Sequence, residues 1–297
     1  MALFLVALIY GANYSIAKIV MDEPSFSPFA LLGFRLLTGF VVFLSLYLSI
    51  SREKVDPKDI GLIILCGLTG TGLNMALFLY GLDNTNPINA SLVMTTSPVM
   101  VLVFSLILLK QKISVFNTLG IFIALVGAVY LVYRPDFGFS IDKIKGDLSI
   151  FLNGSFYALY LVLVKRLVVK YKPITILMLV FSVGFIAMFP FTVHEIGKIE
   201  WQGFDQTFYM SLAFVLIGTT CLTYLFNVFA LQYVRSSLAG VYIYLQPLMA
   251  SFFAIALYDG SITWKIFISS VLIFAGLYLV SMKKTEVFHK NPKSVKR

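Results

Sequence analysis

The sequence predicts an all-α membrane protein: ten transmembrane helices arranged as two inverted five-helix repeats (5+5). Three observations predict it. First, 59% of the 297 residues are hydrophobic and only 12% are charged, with a mean hydropathy of +0.91. That charged share is about half of what a soluble domain carries, too little to coat a water-facing surface. Second, ten apolar runs each approach the roughly 20 residues that a bilayer crossing needs. Third, the chain resembles itself at a fixed offset. A slide of 149 residues sets Gly81 on Ala230, Ala90 on Ala239, Pro98 on Pro247, Ile113 on Ile262 and Gly127 on Gly276. A slide of 143 sets Gly11 on Gly154 and Tyr14 on Tyr157.

The runs fall at about 2–20, 27–49, 59–81, 88–109 and 114–133, then at 147–166, 174–193, 207–231, 237–258 and 263–282. The opening Met1-Ala-Leu-Phe-Leu-Val has no basic stretch and no small-residue cleavage site, so it reads as a first span and not as a leader. Short links carry turn residues: Asp22-Glu-Pro24, Asn84-Thr-Asn-Pro87, Arg134-Pro135 and Asp259-Gly260. Residues 1–135 form one expected repeat and 146–284 the other, joined by the link 136–145; the basic tail 285–297 is expected to be disordered and cytoplasmic. In the fourth and ninth spans the paired prolines, Pro98 and Pro247, are expected to kink the helix. A proline inside a helix removes a backbone donor, and in lipid the freed carbonyl needs another partner. Broken helices at matching places in two halves are where transporters hold their substrates.

Five spans per half is an odd number, so the second half starts on the opposite side from the first. That makes the repeats inverted, the arrangement in which exchanging two half-conformations swaps inward- and outward-facing states. The net charge of +9 belongs to loops between apolar runs and does not describe a nucleic-acid face. With the amino terminus inside, sixteen Lys and Arg fall on the cytoplasmic side against five outside, which places both termini in the cytoplasm of a multi-pass protein of the cell (inner) membrane.

Helical spacing then picks out candidate substrate-facing stripes. The first span offers Tyr10, Asn13, Tyr14 and Ala17; the sixth offers Asn153, Tyr157 and Tyr160. The third carries Gly67, Gly70, Asn74, Phe78 and Gly81, with Thr219, Thr223 and Asn227 at the matching places of the eighth. The fourth offers Ser91, Thr95, Pro98 and Ser105; the ninth offers Gly240, Tyr244, Pro247 and Ser251, with Gln246 beside the proline. Small and hydroxyl residues also serve helix packing in membranes, and both roles stay open here. Gly120, Ala124 and Gly127 face Ser269, Ile273 and Gly276 in the alignment of the fifth and tenth spans. These small residues suit packing of the two repeats or a homodimer equally.

Arg35 is the one strong charge well inside a span, eight residues past Ser27 and so roughly 12 Å along its helix. Such a residue faces a bundle interior and marks a pathway or a partner. Its two readings are attraction of an anionic group and a tie to helix-end carbonyls. No Asp, Glu or His lies deep in a span, and no P-loop is present, so neither a buried carboxylate relay nor direct ATP use is expected. Cys66 and Cys221 have no metal or redox spacing. No metal, no cofactor and no catalytic residue is expected; a membrane enzyme and a channel would need groups the chain lacks, and a receptor would need neither a polar stripe in both halves nor an inverted repeat.

Particular stretches resemble the EamA family of the drug/metabolite transporter superfamily. Ala7-Leu-Ile-Tyr-Gly-Ala-Asn-Tyr14 and Lys18 are similar to that family's first-span opening, with Tyr10 where tryptophan is usual. Phe34-Arg35 matches its second-span arginine, the Pro98 and Pro247 segments its fourth and ninth spans, and Gly146-Asp147 the start of its sixth. The family often closes its fourth and ninth spans with Gly-Glu and a basic residue; Lys110-Gln111-Lys112 and Asp259-Gly260-Ser261 stand here instead. The resemblance implies export or exchange of small metabolites, often amino acids. Nucleotide-sugar and triose-phosphate carriers share the fold. On this reading Arg35→Ala abolishes transport while expression stays normal. Transport near the wild-type rate in vesicles would leave Arg35 with a structural role only.

Overall fold

The computed structural model describes residues 1–85, 87–110, 114–132, 144–257 and 264–281. The tail, residues 136–143 of the 136–145 link and the Asp259-Gly260 turn lie outside them. Every regular element among the described residues is helical. Eight helical segments are long and apolar enough to cross a membrane: Ala2–Met21, Pro28–Ser51, Pro57–Asn84, Ala90–Leu109, Ile144–Val168, Pro173–Ile196, Gln206–Tyr233 and Trp264–Ser281. Of the other two expected spans, the fifth is a shorter apolar helix, Val115–Leu131, and the ninth is an interrupted run.

In chain order, α1 is Ala2–Met21 and α2 is Pro28–Leu46, capped by the Ser27 hydroxyl, which accepts from Ala30 N at 3.2 Å. Then come α3 (Ile60–Gly67), α4 (Leu73–Asn84), α5 (Pro87–Met94), α6 (Ser97–Leu109) and α7 (Val115–Val132). The second half gives α8 (Ile144–Val168), α9 (Pro173–Ile196), α10 (Gln206–Ala213), α11 (Thr223–Tyr233), α12 (Ser236–Val241), α13 (Leu245–Leu257) and α14 (Trp264–Ser281). The outward faces are apolar, with Ile186, Phe191, Ile217, Phe122 and Phe267 all exposed. That is the surface lipid requires.

Two spans widen into π-helix at matching places, Leu68–Gly72 between α3 and α4 and Phe214–Leu222 between α10 and α11. Their Gly and Thr content weakens the α pattern, and threonine hydroxyls take up carbonyls there: Thr71 Oγ1 donates to Gly67 O at 2.8 Å, and Thr219 Oγ1 to Val215 O at 2.7 Å. The prolines act differently from an interior kink. The chain breaks just ahead of each one. Helix α5 ends at Met94, Thr95 and Thr96 turn back with their hydroxyls on Leu92 O (2.6 Å) and Val93 O (2.8 Å), and Pro98 lies in the first turn of α6. A 3-10 turn, Tyr242–Tyr244, similarly precedes α13, whose third residue is Pro247. In a first turn proline's missing donor is no loss.

Packing pairs exchange consistently between the halves. Helix α1 packs on α11 and α13, while α8 packs on α4 and α6. Helix α2 packs on the second π segment, while α9 packs on the first. The contacts α2 with α9 and α7 with α14 join equivalent elements. The α7–α14 contact is the small-residue seam, used within one chain. A Cβ on Gly276 would sit 2.7 Å from Ala124 Cβ and 2.8 Å from Ala124 N, and one on Gly120 would sit 2.7 Å from Gly276 O. Gly276→Leu is therefore expected to lower stability by about 1–3 kcal/mol through overpacking. Gly61→Ala, where a Cβ meets nothing within 4 Å, is expected to change stability little. Thermal unfolding in detergent compares the two, and equal midpoints would refute the seam.

Candidate functional site

Buried polar residues of both halves meet where α1, α2, α4, α8 and α11 come together. One cavity there is lined by Tyr10, Asn13 and Tyr14 of α1, Arg35 of α2, and Asn74, Met75 and Phe78 of α4. Met94 of α5, Asn153 and Tyr157 of α8, Tyr224 of α11 and Gln246 at the start of α13 complete it. The volume open to the centre of a water molecule is about 50 Å³, room for a few waters. A larger solute needs these walls to part.

Hydrogen bonds across the wall tie the two halves together. Asn74 Nδ2 donates to Asn153 O (3.0 Å) and Asn153 Nδ2 to Asn74 O (2.8 Å), a reciprocal pair between α4 and α8. Tyr14 OH donates to Gln246 Oε1 at 3.3 Å and packs edge-on against Phe78 at 5.8 Å. Tyr224 OH donates to Gly70 O of the first π segment at 2.6 Å. Arg35 is 3% exposed, and its Nε donates to Thr220 Oγ1 of the second π segment at 3.0 Å. Among the described residues no carboxylate pairs with it, and it makes no tie to helix-end carbonyls.

Several expected residues lie elsewhere. Tyr160 sits behind the wall, 6.3 Å from the Tyr157 ring and 6.4 Å from that of Tyr224, with an unpartnered hydroxyl. Thr223 is buried and bonded to Thr219 O. Asn227 donates to Tyr157 OH at 2.8 Å and faces a smaller neighbouring space that also touches Gln246. Thr95 lines an apolar outer groove with Leu125, Val129 and Phe151. Tyr244 belongs to a second apolar cluster with Leu102, Ile121 and Ile273. Pro98 and Pro247 are buried and set the helix breaks, but neither lines the cavity. Sequence reasoning missed Met75, Met94 and Tyr224. The second π segment explains the last of these: its wide turns take extra residues, so the helix beyond it is rotated from the face that α spacing predicts. Tyr224 then lines the cavity where Thr223 was expected.

The ends of the bundle are tied by different chemistry. Asp59 accepts from Lys170 Nζ (2.7 and 2.9 Å) and from Tyr171 OH (2.6 Å), while Glu53 accepts from Lys172 N at 2.9 Å. Hydrogen bonding to Asp59 holds the Lys170 ammonium above its ordinary value. At the other end of α2, Phe26 packs against Phe34 (5.8 Å), Phe208 (5.2 Å) and Phe204 (6.2 Å). Tyr171-Lys172-Pro173 and Phe26-Ser27-Pro28 open α9 and α2, so equivalent corners carry an ionic tie in one case and an aromatic one in the other. Lys18 lies near the end of α1, 3.3 Å from Asp22 and 3.8 Å from Asp83. Near the end of α8, Lys165 Nζ donates to Leu231 O and Val234 O at the end of α11. Among the described residues no group of three or more His, Cys, Asp or Glu is placed to hold a metal ion.

Thr220→Val removes the acceptor for Arg35 Nε with little change of shape. An unpaired buried donor costs roughly 1–3 kcal/mol, so the valine variant is expected to unfold at a lower temperature in detergent, and Thr220→Ser close to wild type. A valine variant as stable as wild type would show that Arg35 does not depend on this bond.

A model described as the EamA-like transporter family matches residues 1–133 and again residues 144–282. An "Uncharacterized transporter" of Archaeoglobus fulgidus is 26% identical over 284 residues, spanning 95% of this chain and 96% of the relative. The Bacillus subtilis "Uncharacterized transporter YyaM" is 25% identical, spanning 91% and 89%. A solved structure titled "Crystal structure of protein" superposes with a TM-score of 0.72 at 17% identity, covering 94% of this chain and 96% of that one, which is a likeness of fold. With both halves matched by the family model and the bundle built around a polar cavity, the chain belongs to the EamA-like transporter family.

Proposed function

We propose that this membrane transporter is a secondary carrier that moves a small metabolite, an amino acid or a related compound, by alternating access as an exporter or exchanger, with both termini in the cytoplasm. The observation that carries this reading is the convergence of polar residues from both halves on one narrow cavity. Tyr10, Asn13 and Tyr14 come from the first half and Asn153, Tyr157 and Tyr224 from the second. A rearrangement of one half against the other therefore changes every wall of the site. The packing pairs that exchange between halves support such a rocking motion, and the dissimilar ties at the two ends of α2 would open independently. An organophosphate exchanger of the same fold is the second reading, favoured by Arg35, whose guanidinium suits phosphate as well as carboxylate.

No carboxylate lines the cavity among the described residues, so the reading includes no proton relay through it. In proteoliposomes preloaded with a mixture of small metabolites, labelled solute is expected to exchange saturably and to show counterflow. An imposed pH gradient is expected to drive no uphill accumulation. Flux without saturation would indicate a channel, and pH-driven accumulation would overturn the uncoupled mechanism.

A further inference from the structure

Resting on the carrier reading, the chemistry of the cavity wall narrows what it can carry. Arg35 is buried, yet among the described residues only Thr220 accepts a hydrogen bond from it. A guanidinium has five N–H donors, so four remain for a ligand. A buried cation without a counter-charge is strongly disfavoured, and an anion docked on its free edge removes that penalty. Asn13 and Asn153, 2% and 3% exposed, also line the cavity, and the side-chain oxygen of each has no hydrogen-bond partner. These are acceptors waiting for donors. Met75 and Phe78 between them offer apolar surface.

We propose that the cavity binds a small organic monoanion: a carboxylate docked on the free edge of Arg35, with a hydroxyl group on the same molecule donating to the Asn13 and Asn153 side-chain oxygens. One guanidinium balances one negative charge. A phosphate monoester, with its charge of about −1.5 to −2, leaves an excess in a cavity that offers no second cation among its lining residues. Amines and other cations meet Arg35 as a like charge.

The test is counterflow by the full chain in liposomes with four labelled pools at equal concentration. These are short hydroxy carboxylic acids, the carboxamides of the same acids, phosphate monoesters, and simple amines. The acid pool is expected to exchange at least about tenfold faster than the carboxamides, equivalent to about 1.4 kcal/mol of discrimination. Arg35→Gln is expected to bring the acid-to-amide ratio close to one, and Arg35→Lys to keep part of it. A purely structural role would lower both pools together and leave the ratio unchanged. Carboxamides exchanging as fast as acids in the wild-type protein, or phosphate monoesters or amines exchanging fastest, would overturn the monoanion assignment while leaving the carrier reading intact. That comparison needs no variant to fold. Exchange of no pool by folded protein would remove the carrier reading and this assignment with it.

Discussion

Backbone polar groups have no water to turn to inside a bilayer, so each interruption of a spanning helix must be repaired by the protein itself. Among the described residues the third, fourth, eighth and ninth spans depart from a regular α-helix part-way along, and in three of them short polar side chains at the break take up carbonyls. Thr71 and Thr219 return to carbonyls within the π segments, and Thr95 and Thr96 close the turn ahead of Pro98. Tyr224 reaches across to Gly70 O from the opposite half. At these breaks residues 69–72 and 218–221 are buried. The same requirement brings hydroxyl and amide groups to the walls of one cavity.

The halves are alike in packing and unlike in charge. Position 35 of α2 aligns with Val180 of α9. Thr71 of the first π segment donates to Val180 O at 3.0 Å, while the aligned Thr220 accepts from Arg35 Nε. One contact site thus binds helix to helix through a carbonyl in one half and through a guanidinium in the other. Because the guanidinium has donors left over, the cavity gains a positive wall on one side without any change in how the helices pack. The end ties follow the same logic, with an ionic cluster at Asp59 and an aromatic cluster at Phe26. Equivalent geometry with unequal chemistry lets one end respond to conditions that leave the other untouched.

Much of the cavity was legible because lining a helix face is a local property. Tyr10, Asn13 and Tyr14 lie on one face of α1, and Asn153 and Tyr157 on one face of α8, where the spacing is that of an unbroken helix. Several misreadings fall at irregular backbone, while Tyr160 lies behind the wall on the unbroken α8. Beyond the π segment Phe214–Leu222 the face is rotated, and Tyr224 lines the cavity in place of Thr223. Around the turn at Thr95 and the 3-10 turn at Tyr242–Tyr244 the direction of each side chain depends on the break itself. Thr95 therefore faces an outer groove and Tyr244 an apolar cluster. Met75 and Met94 give no periodic signal because an apolar residue is equally at home against lipid, core or ligand.

The sequence by itself determined the class of solvent, the helical character of the chain and the like pattern of its two halves. These follow from composition, run length and internal similarity, all of which act locally along the chain. It also marked Arg35 as a charge that must face inward, because lipid tolerates no other placement. Tertiary structure alone decided that the stripes converge, that Gly120 and Gly276 seal one chain to itself, and that Thr220 is the group Arg35 meets. Those outcomes depend on which helices are neighbours and on rotations introduced at the breaks, and neither is encoded in the spacing of residues along a single helix.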